Sequence, residues 1–264
     1  MSNFIHGHKE SDQLSAISYQ HIPSAIRPVL QQIGQLAQEH GASAYAVGGC
    51  VRDWWLGKGQ TTDLDIALEG DAIAFAQVVA GHFQGQLMRT HQQFGTATVM
   101  IPLKAATVRV DVAMCRKETY AAPAAYPRVQ PGTLRDDVFR RDFTINAIAV
   151  ALNPRHWGRV VDPFGGRRDL RAKRLRILHR RSFADDPSRI LRGVRFAARL
   201  GLRWERETLR ACRDALAMGA LGRLNTGRLR KELDAISREE RPGACLNLLA
   251  WLLHPGGALK EEYR

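Results

Sequence analysis

The sequence is short of cysteine, of acidic residues and of long apolar runs. Its four cysteines (Cys50, Cys115, Cys212, Cys245) are scattered and form no C-x-x-C pair. That argues against a zinc site or a disulfide framework and fits a reducing compartment, the cytoplasm. The longest apolar stretch, Ala244–Leu253, is about half of what a membrane-spanning helix needs, so no membrane partner is expected. The first residues carry histidines and charges where a signal peptide has an apolar segment. There is no internal repeat and no low-complexity segment. Acids are outnumbered, 26 Asp and Glu against 39 Lys and Arg, for a net charge of +13. Such a balance favours polyanionic partners, nucleic acid first, over a merely basic soluble protein. The 264 residues suffice for a core and two domains.

What the chain does have begins at Tyr45. A short apolar run stops at Gly48-Gly49, and Arg52 and Asp53 open a helical segment. Ten residues on, Asp63 and Asp65 stand two apart in an apolar stretch. In a strand, residues i and i+2 point to one face, so the two carboxylates project together. They repel unless a cation lies between them, and oxygen-only ligation near phosphates suits Mg²⁺. The stretch reads as strand, phosphate-cradling turn, helix, then a strand with two metal ligands.

The remaining elements follow in order. Residues 1–26 are polar and aperiodic and read as a flexible tail, with His6 and His8 incidental. Val29, Leu30, Ile33, Leu36 and Ala37 recur at helical spacing up to Gly41. Asp71 is placed to cap a helix running to about His82. Three strand-like runs follow, and the last sets Arg109 and Asp111 on one face against Val108, Val110 and Val112 on the other. Asp111 is therefore a candidate third carboxylate or, equally, a solvated acid on a half-exposed sheet. Glu118–Thr133, with three prolines, reads as a loop and a candidate mobile cover. Beyond Arg167 strands are expected to give way to helices. Asp186 is expected as N-cap of a helix whose Arg189, Arg192, Arg195 and Arg199 form one stripe. A solvated basic face explains that stripe as well as a binding site does.

Five motifs stand in this order: Gly48-Gly49 with Arg52-Asp53, Asp63/Asp65, Arg140-Arg141-Asp142-Phe143-Thr144-Ile145-Asn146-Ala147, Asp162-Pro163-Phe164-Gly165-Gly166, and Asp185-Asp186-Pro187-Ser188-Arg189. With them the sequence resembles the class II tRNA nucleotidyltransferase/poly(A) polymerase family, within the DNA polymerase beta-like nucleotidyltransferases. The likeness is good from Tyr45 to Leu200 and fades afterwards, although Thr226–Leu233 looks like a degenerate form of the family's later helical motif. The family's further helical body and tail are not matched before Arg264. The base-reading motif usually opens Glu-Asp; here Asp185 is one methylene shorter.

The resemblance implies an α+β fold, a nucleotidyltransferase head with a mixed sheet (27–170) followed by an all-α neck that binds RNA and the nucleotide base (171–264). It implies that Gly48, Gly49 and Arg52 hold the triphosphate and that Asp63 and Asp65 bind two Mg²⁺ ions. Arg141, Asp142 and Asn146 would contact phosphate or ribose. Asp186 and Arg189 would read the base, supported by Arg192 and Arg195. Cytosine and adenine each present an exocyclic amine beside a ring acceptor, which an Asp and an Arg match. Guanine and uracil present the reverse and leave buried polar groups unpaired, at ~1–3 kcal/mol each. The implied activity is template-independent addition of C and/or A, from CTP and ATP, to a tRNA 3′ end. A poly(A) polymerase is the alternative within the family. A non-catalytic RNA-binding remnant and a small-molecule nucleotidyltransferase are the alternatives outside it. The apolar residues Leu246, Leu249, Trp251 and Leu252 are expected to offer a surface for a homo-oligomer.

Overall fold

A computed structural model describes residues 21–58, 62–103 and 106–254. Most of the expected tail, His6 and His8 included, lies outside the described residues. In chain order the first part comprises α1 (Arg27–Glu39), β1 (Ser43–Val47), α2 (Gly49–Trp55), β2 (Asp63–Glu69), α3 (Ala72–His82), β3 (Gln86–His91), β4 (Thr96–Pro102) and β5 (Thr107–Met114). It continues with β6 (Arg116–Thr119), β7 (Arg128–Pro131), α4 (Leu134–Phe139), β8 (Ala149–Ala151), β9 (Val160–Val161) and α5 (Gly166–Arg171). Then come β10 (Arg174–Leu175), α6 (Ser182–Asp185), α7 (Ser188–Leu200), β11 (Arg203–Trp204), α8 (Arg206–Ala217), α9 (Thr226–Ser237) and α10 (Pro242–Leu253).

Seven strands form a mixed sheet in the order β3-β4-β5-β2-β1-β8-β9. Only β2 and β5 run parallel, and their register sets Asp65 opposite Asp111. One face is buried under α1 and α3. The apolar stripe of α1 is buried as its spacing predicts, and Asp71 caps α3 by accepting hydrogen bonds from the Ile73 and Ala74 amides. The other face carries a smaller apolar cluster, in which Val47, Ala67 and Ala149 meet Leu134 and Val138 of α4. Strand alternation puts Asp63 and Asp65 on this face with Ala67.

Four expectations need correction. Ile22 and Ile26 are buried in the core, 1% and 5% exposed, so residues 22–26 pack rather than trail. Glu118–Thr133 is not a plain loop: β6 and β7 pair into an antiparallel ribbon. Its prolines permit this because Pro123 and Pro127 fall in the connection and Pro131 at the strand end. Strands also persist past Arg167, since β10 pairs in parallel with β11 within the part expected to be all helical. Finally, α10 is not a bare apolar face. Cys245, Leu248 and Leu252 are buried and Trp251 stacks on Arg213, which leaves Leu246 and Leu253 exposed.

The basic helix α7 is seated by Gly193. A Cβ there would lie 2.8 Å from the Trp204 ring and 2.9 Å from that of Phe143. The missing side chain lets α7 press against both aromatics, so one apolar cluster runs from Ile22 to Leu252. That contact fixes the angle at which the arginine stripe meets the sheet.

Candidate active site

Between the open face of the sheet and helices α7 and α9 lies a cleft of about 970 Å³. All the residues expected in the site except Asp111 line it. Gly48 makes the turn from β1 into α2 with φ of +79°, a value that side chains rarely adopt. A Cβ there would come within 2.8 Å of an Arg141 Nη and 3.5 Å of Asp65 Oδ2. The turn thus leaves room for a guanidinium and a carboxylate at the floor of the cleft.

Asp63 and Asp65 both face the cleft. The surrounding protein pushes the Asp65 carboxyl above its ordinary value, against the pull of Arg141 and with help from Asp111 and Asp63. Two carboxylates on one face beside a single arginine form a local excess of negative charge. The donor set is oxygen only and sits next to a glycine turn, so it fits Mg²⁺ completed by substrate phosphates. Among the described residues no group of three or more His, Cys, Asp or Glu is arranged to hold a metal by itself. Asp111 is adjacent in register but turned to other partners. Arg109, two residues away on the same face, pairs with it at 2.9 Å, and Thr98 donates a hydrogen bond to it.

The arginines and acids of the cleft form two linked chains. Arg52, 4% exposed, donates to Asn146, and Asn146 donates to Asp142. Asp142 then receives two hydrogen bonds from Arg192, at 2.8 and 2.5 Å. Burial alone would push the Asp142 carboxyl up, but Arg192, with Asn146, holds it down at about 2. Asp142 and Asn146 therefore join the sheet domain to α7. In the second chain the fully buried Asp137 receives Arg140 and Arg141, and Glu118 receives Arg116, Arg140 and Tyr120. Phe196 is flanked by the Arg52, Arg192 and Arg199 guanidiniums at 5.2–5.6 Å. Arg195 is engaged by Glu232 and Glu239.

At the far end α6 stops at Asp185, and the N-cap position of α7 is Pro187, not Asp186. The Asp186 carboxylate still accepts from the Ser188 amide, at 3.0 Å. Its Oδ1 also receives Ser188 Oγ and Arg228 Nη2, both at 2.5 Å, while its Oδ2 has Arg189 Nε at 3.9 Å. Arg189 is buried, with one Nη on Ser182 Oγ and the other on the Arg140 carbonyl. Sequence reasoning missed Arg228. It also holds the Ala124 carbonyl, at 3.4 Å, and lies over the Tyr126 ring, so α9 and the β6–β7 connection close on Asp186 together. Position 228 falls within the degenerate helical motif, the one signal that pointed to it. Glu118 and Tyr120 were hidden by reading their surroundings as a loop, and Asp137 lies in a stretch to which the sequence reading assigned no element.

The chain is similar to known proteins. The family profile described as "Poly A polymerase head domain" matches residues 44–176. The chain is 42% identical over 222 residues to an A-adding tRNA nucleotidyltransferase of Geobacter sulfurreducens, a match covering 84% of this chain and 25% of that protein. A CC-adding tRNA nucleotidyltransferase of Deinococcus radiodurans is 38% identical over 81% of this chain and 56% of its own length. Among solved structures, an apo CCA-adding enzyme superposes with a TM-score of 0.80 and 37% identity, covering 91% of this chain and 57% of that one. The chain thus spans about a quarter to just over half of the length of these relatives. From the glycine turn, the paired aspartates and the matched head, we conclude that this chain belongs to the poly(A) polymerase head-domain family.

Proposed function

We propose that the chain transfers nucleotidyl groups from ATP and/or CTP to the 3′ end of RNA, with tRNA as the acceptor, in the cytoplasm. The observation that carries this reading is one cleft in which Asp63 and Asp65 face Arg141 across the Gly48 turn while Asp186 and Arg189 close the far end. Asp63 and Asp65 would hold Mg²⁺, which when bound supplies positive charge to the attacking hydroxyl and to the phosphates.

The chain's own groups do the rest. Gly48 and Gly49 let backbone approach the triphosphate, and Arg52 and Arg141 set positive charge beside it. Arg141 stays charged despite burial because Asp137 and Asp65 flank it. Asp186 keeps Oδ2 clear of the Ser188 and Arg228 donors that fill Oδ1, and that oxygen accepts the exocyclic amine of adenine or cytosine. Arg189 spends two of its five N–H donors on Ser182 and Arg140, and a remaining donor serves the ring acceptor. The network through Asp142 and Arg192 keeps these base contacts at a fixed distance from the aspartate pair. The exposed Leu246 and Leu253 of α10 are the surface we assign to self-association.

The test is incubation with Mg²⁺, labelled ATP or CTP, and tRNA truncated at successive 3′ positions, followed by product sequencing. Addition of A, C or both at the truncated end is expected. Long A-tails without use of CTP would assign a poly(A) polymerase instead, and no incorporation overturns the reading. Asp63→Ala is expected to abolish transfer and to spare RNA binding, which separates an enzyme from a binding remnant.

A further inference from the structure

Outside the active cleft, two further clefts share a wall. One, of about 910 Å³, carries Arg135, Arg155 and Arg159; the other, of about 530 Å³, carries Arg168 and Arg171. Asp162, Pro163 and Arg167 line both, so the two are continuous. Only two carboxylates line them, and both are engaged by backbone. Glu69 accepts the Leu134 amide at 2.7 Å, and Asp162 accepts the Gly166 and Arg167 amides at 2.7 and 3.0 Å. Arg135, Arg155, Arg159, Arg168 and Arg171 form no ion pair among the described residues.

The charge continues along the β10–β11 edge. Arg174 and Arg203 are direct partners across the parallel pair, and both are exposed. Lys173 precedes them with φ of +49°. Like charges opposed in a sheet are destabilising, as is a left-handed lysine. Buried Asp169 ties this edge to α5 through Arg176 at 2.8 Å and Arg174 at 4.0 Å. Asp162 also pairs with Arg167, at 3.5 Å, yet a fold that sets guanidiniums against one another on its surface and leaves five neighbouring arginines without an ion pair among the described residues presents an anion-binding track.

We propose that this belt is a second RNA contact, which binds the phosphodiester backbone of the acceptor away from its reacting 3′ end. The inference rests on the reading of RNA as the acceptor. Its recognition is by charge and carries no base preference, because the clefts offer guanidiniums to phosphate. Each phosphate neutralised makes log K fall by about 0.7–0.9 per unit of log salt.

The experiment uses the full chain and two acceptors, a truncated tRNA and a short single-stranded oligoribonucleotide with the same 3′ end. The quadruple variant R155Q/R159Q/R168Q/R171Q is compared with wild type and with a charge-matched control at exposed arginines elsewhere, R89Q/R230Q/R238Q/R241Q. The belt variant should flatten the salt slope for tRNA binding by up to about 3 and raise KM for tRNA at least tenfold. Its kcat and its KM for ATP on the short acceptor should stay at wild-type values. The control should move the slope by less than one. An unchanged slope in the belt variant, or equal shifts in both variants, overturns the proposal. So does loss of binding to anionic lipid vesicles with tRNA binding intact. Wild type that binds tRNA with the belt-dependent slope yet incorporates nothing would overturn the enzymatic reading and leave the belt standing.

Discussion

Replacing Asp142 by Asn tests the joint on which the cleft depends. Asp142 is 5% exposed and receives Arg192 through two hydrogen bonds. Its carboxyl is held at about 2 against an ordinary 3.8, which corresponds to about 2 kcal/mol of stability at neutral pH. The folded value lies below the unfolded one. The contribution is therefore complete above the unfolded value, near pH 4, and is lost as pH falls through the folded value near 2. Asp142→Asn should unfold about 4–8 °C below wild type at pH 7, given ~2–4 °C per kcal/mol for a chain of this size. At pH 3 the deficit should shrink to about 1 kcal/mol. The assay is thermal and urea unfolding of both proteins from pH 7 to pH 3, with Arg192→Gln and the double variant completing a cycle. A deficit below about 0.5 kcal/mol at pH 7, or one that does not change with pH, refutes the argument that this ion pair joins the sheet to α7.

Arg228→Ala should free Asp186 Oδ1 and narrow the preference for ATP over GTP about tenfold in kcat/KM; Arg228→Lys should restore part of it, and an unchanged ratio would show that Arg228 does not position Asp186. Gly48→Ala forces a side chain into a left-handed turn against Arg141, and should cost about 1–2 kcal/mol of stability and lower kcat/KM for ATP more than KM for RNA. All four cysteines are buried, with burial pushing the Cys50 and Cys212 thiols up to about 12 and raising those of Cys115 and Cys245. The native protein at pH 8 should therefore not react with a thiol reagent within minutes, and four thiols should appear on denaturation; rapid native labelling would contradict the packing around them.

Local chemistry was legible because it repeats at short range. The period-two pair Asp63/Asp65, the Gly48-Gly49 turn, the Asp71 cap and the apolar stripe of α1 each depend on residues within a few positions of one another. The same holds for the arginine stripe of α7, whose spacing set its face but not its partners. The partners come from far along the chain. Asp142 meets Arg192 across 50 residues, Asp186 meets Arg228 across 42, and Arg195 meets Glu232 and Glu239. The spacing also left Asp111 open between a third metal ligand and a solvated acid, and only the pairing with Arg109 and Thr98 shows where its charge is spent. The ribbon of β6 and β7 was hidden for a similar reason. Prolines signal interruption locally, whereas strand pairing is decided by the partner found at a distance. The sequence by itself determined which groups we assign to phosphate, metal and base, since that assignment depends on residue type and short spacing. The tertiary structure alone decided that they share one cleft, which carboxylates are already engaged, and how far the base-reading end stands from the aspartates, since burial and ion pairing are properties of contacts between distant segments.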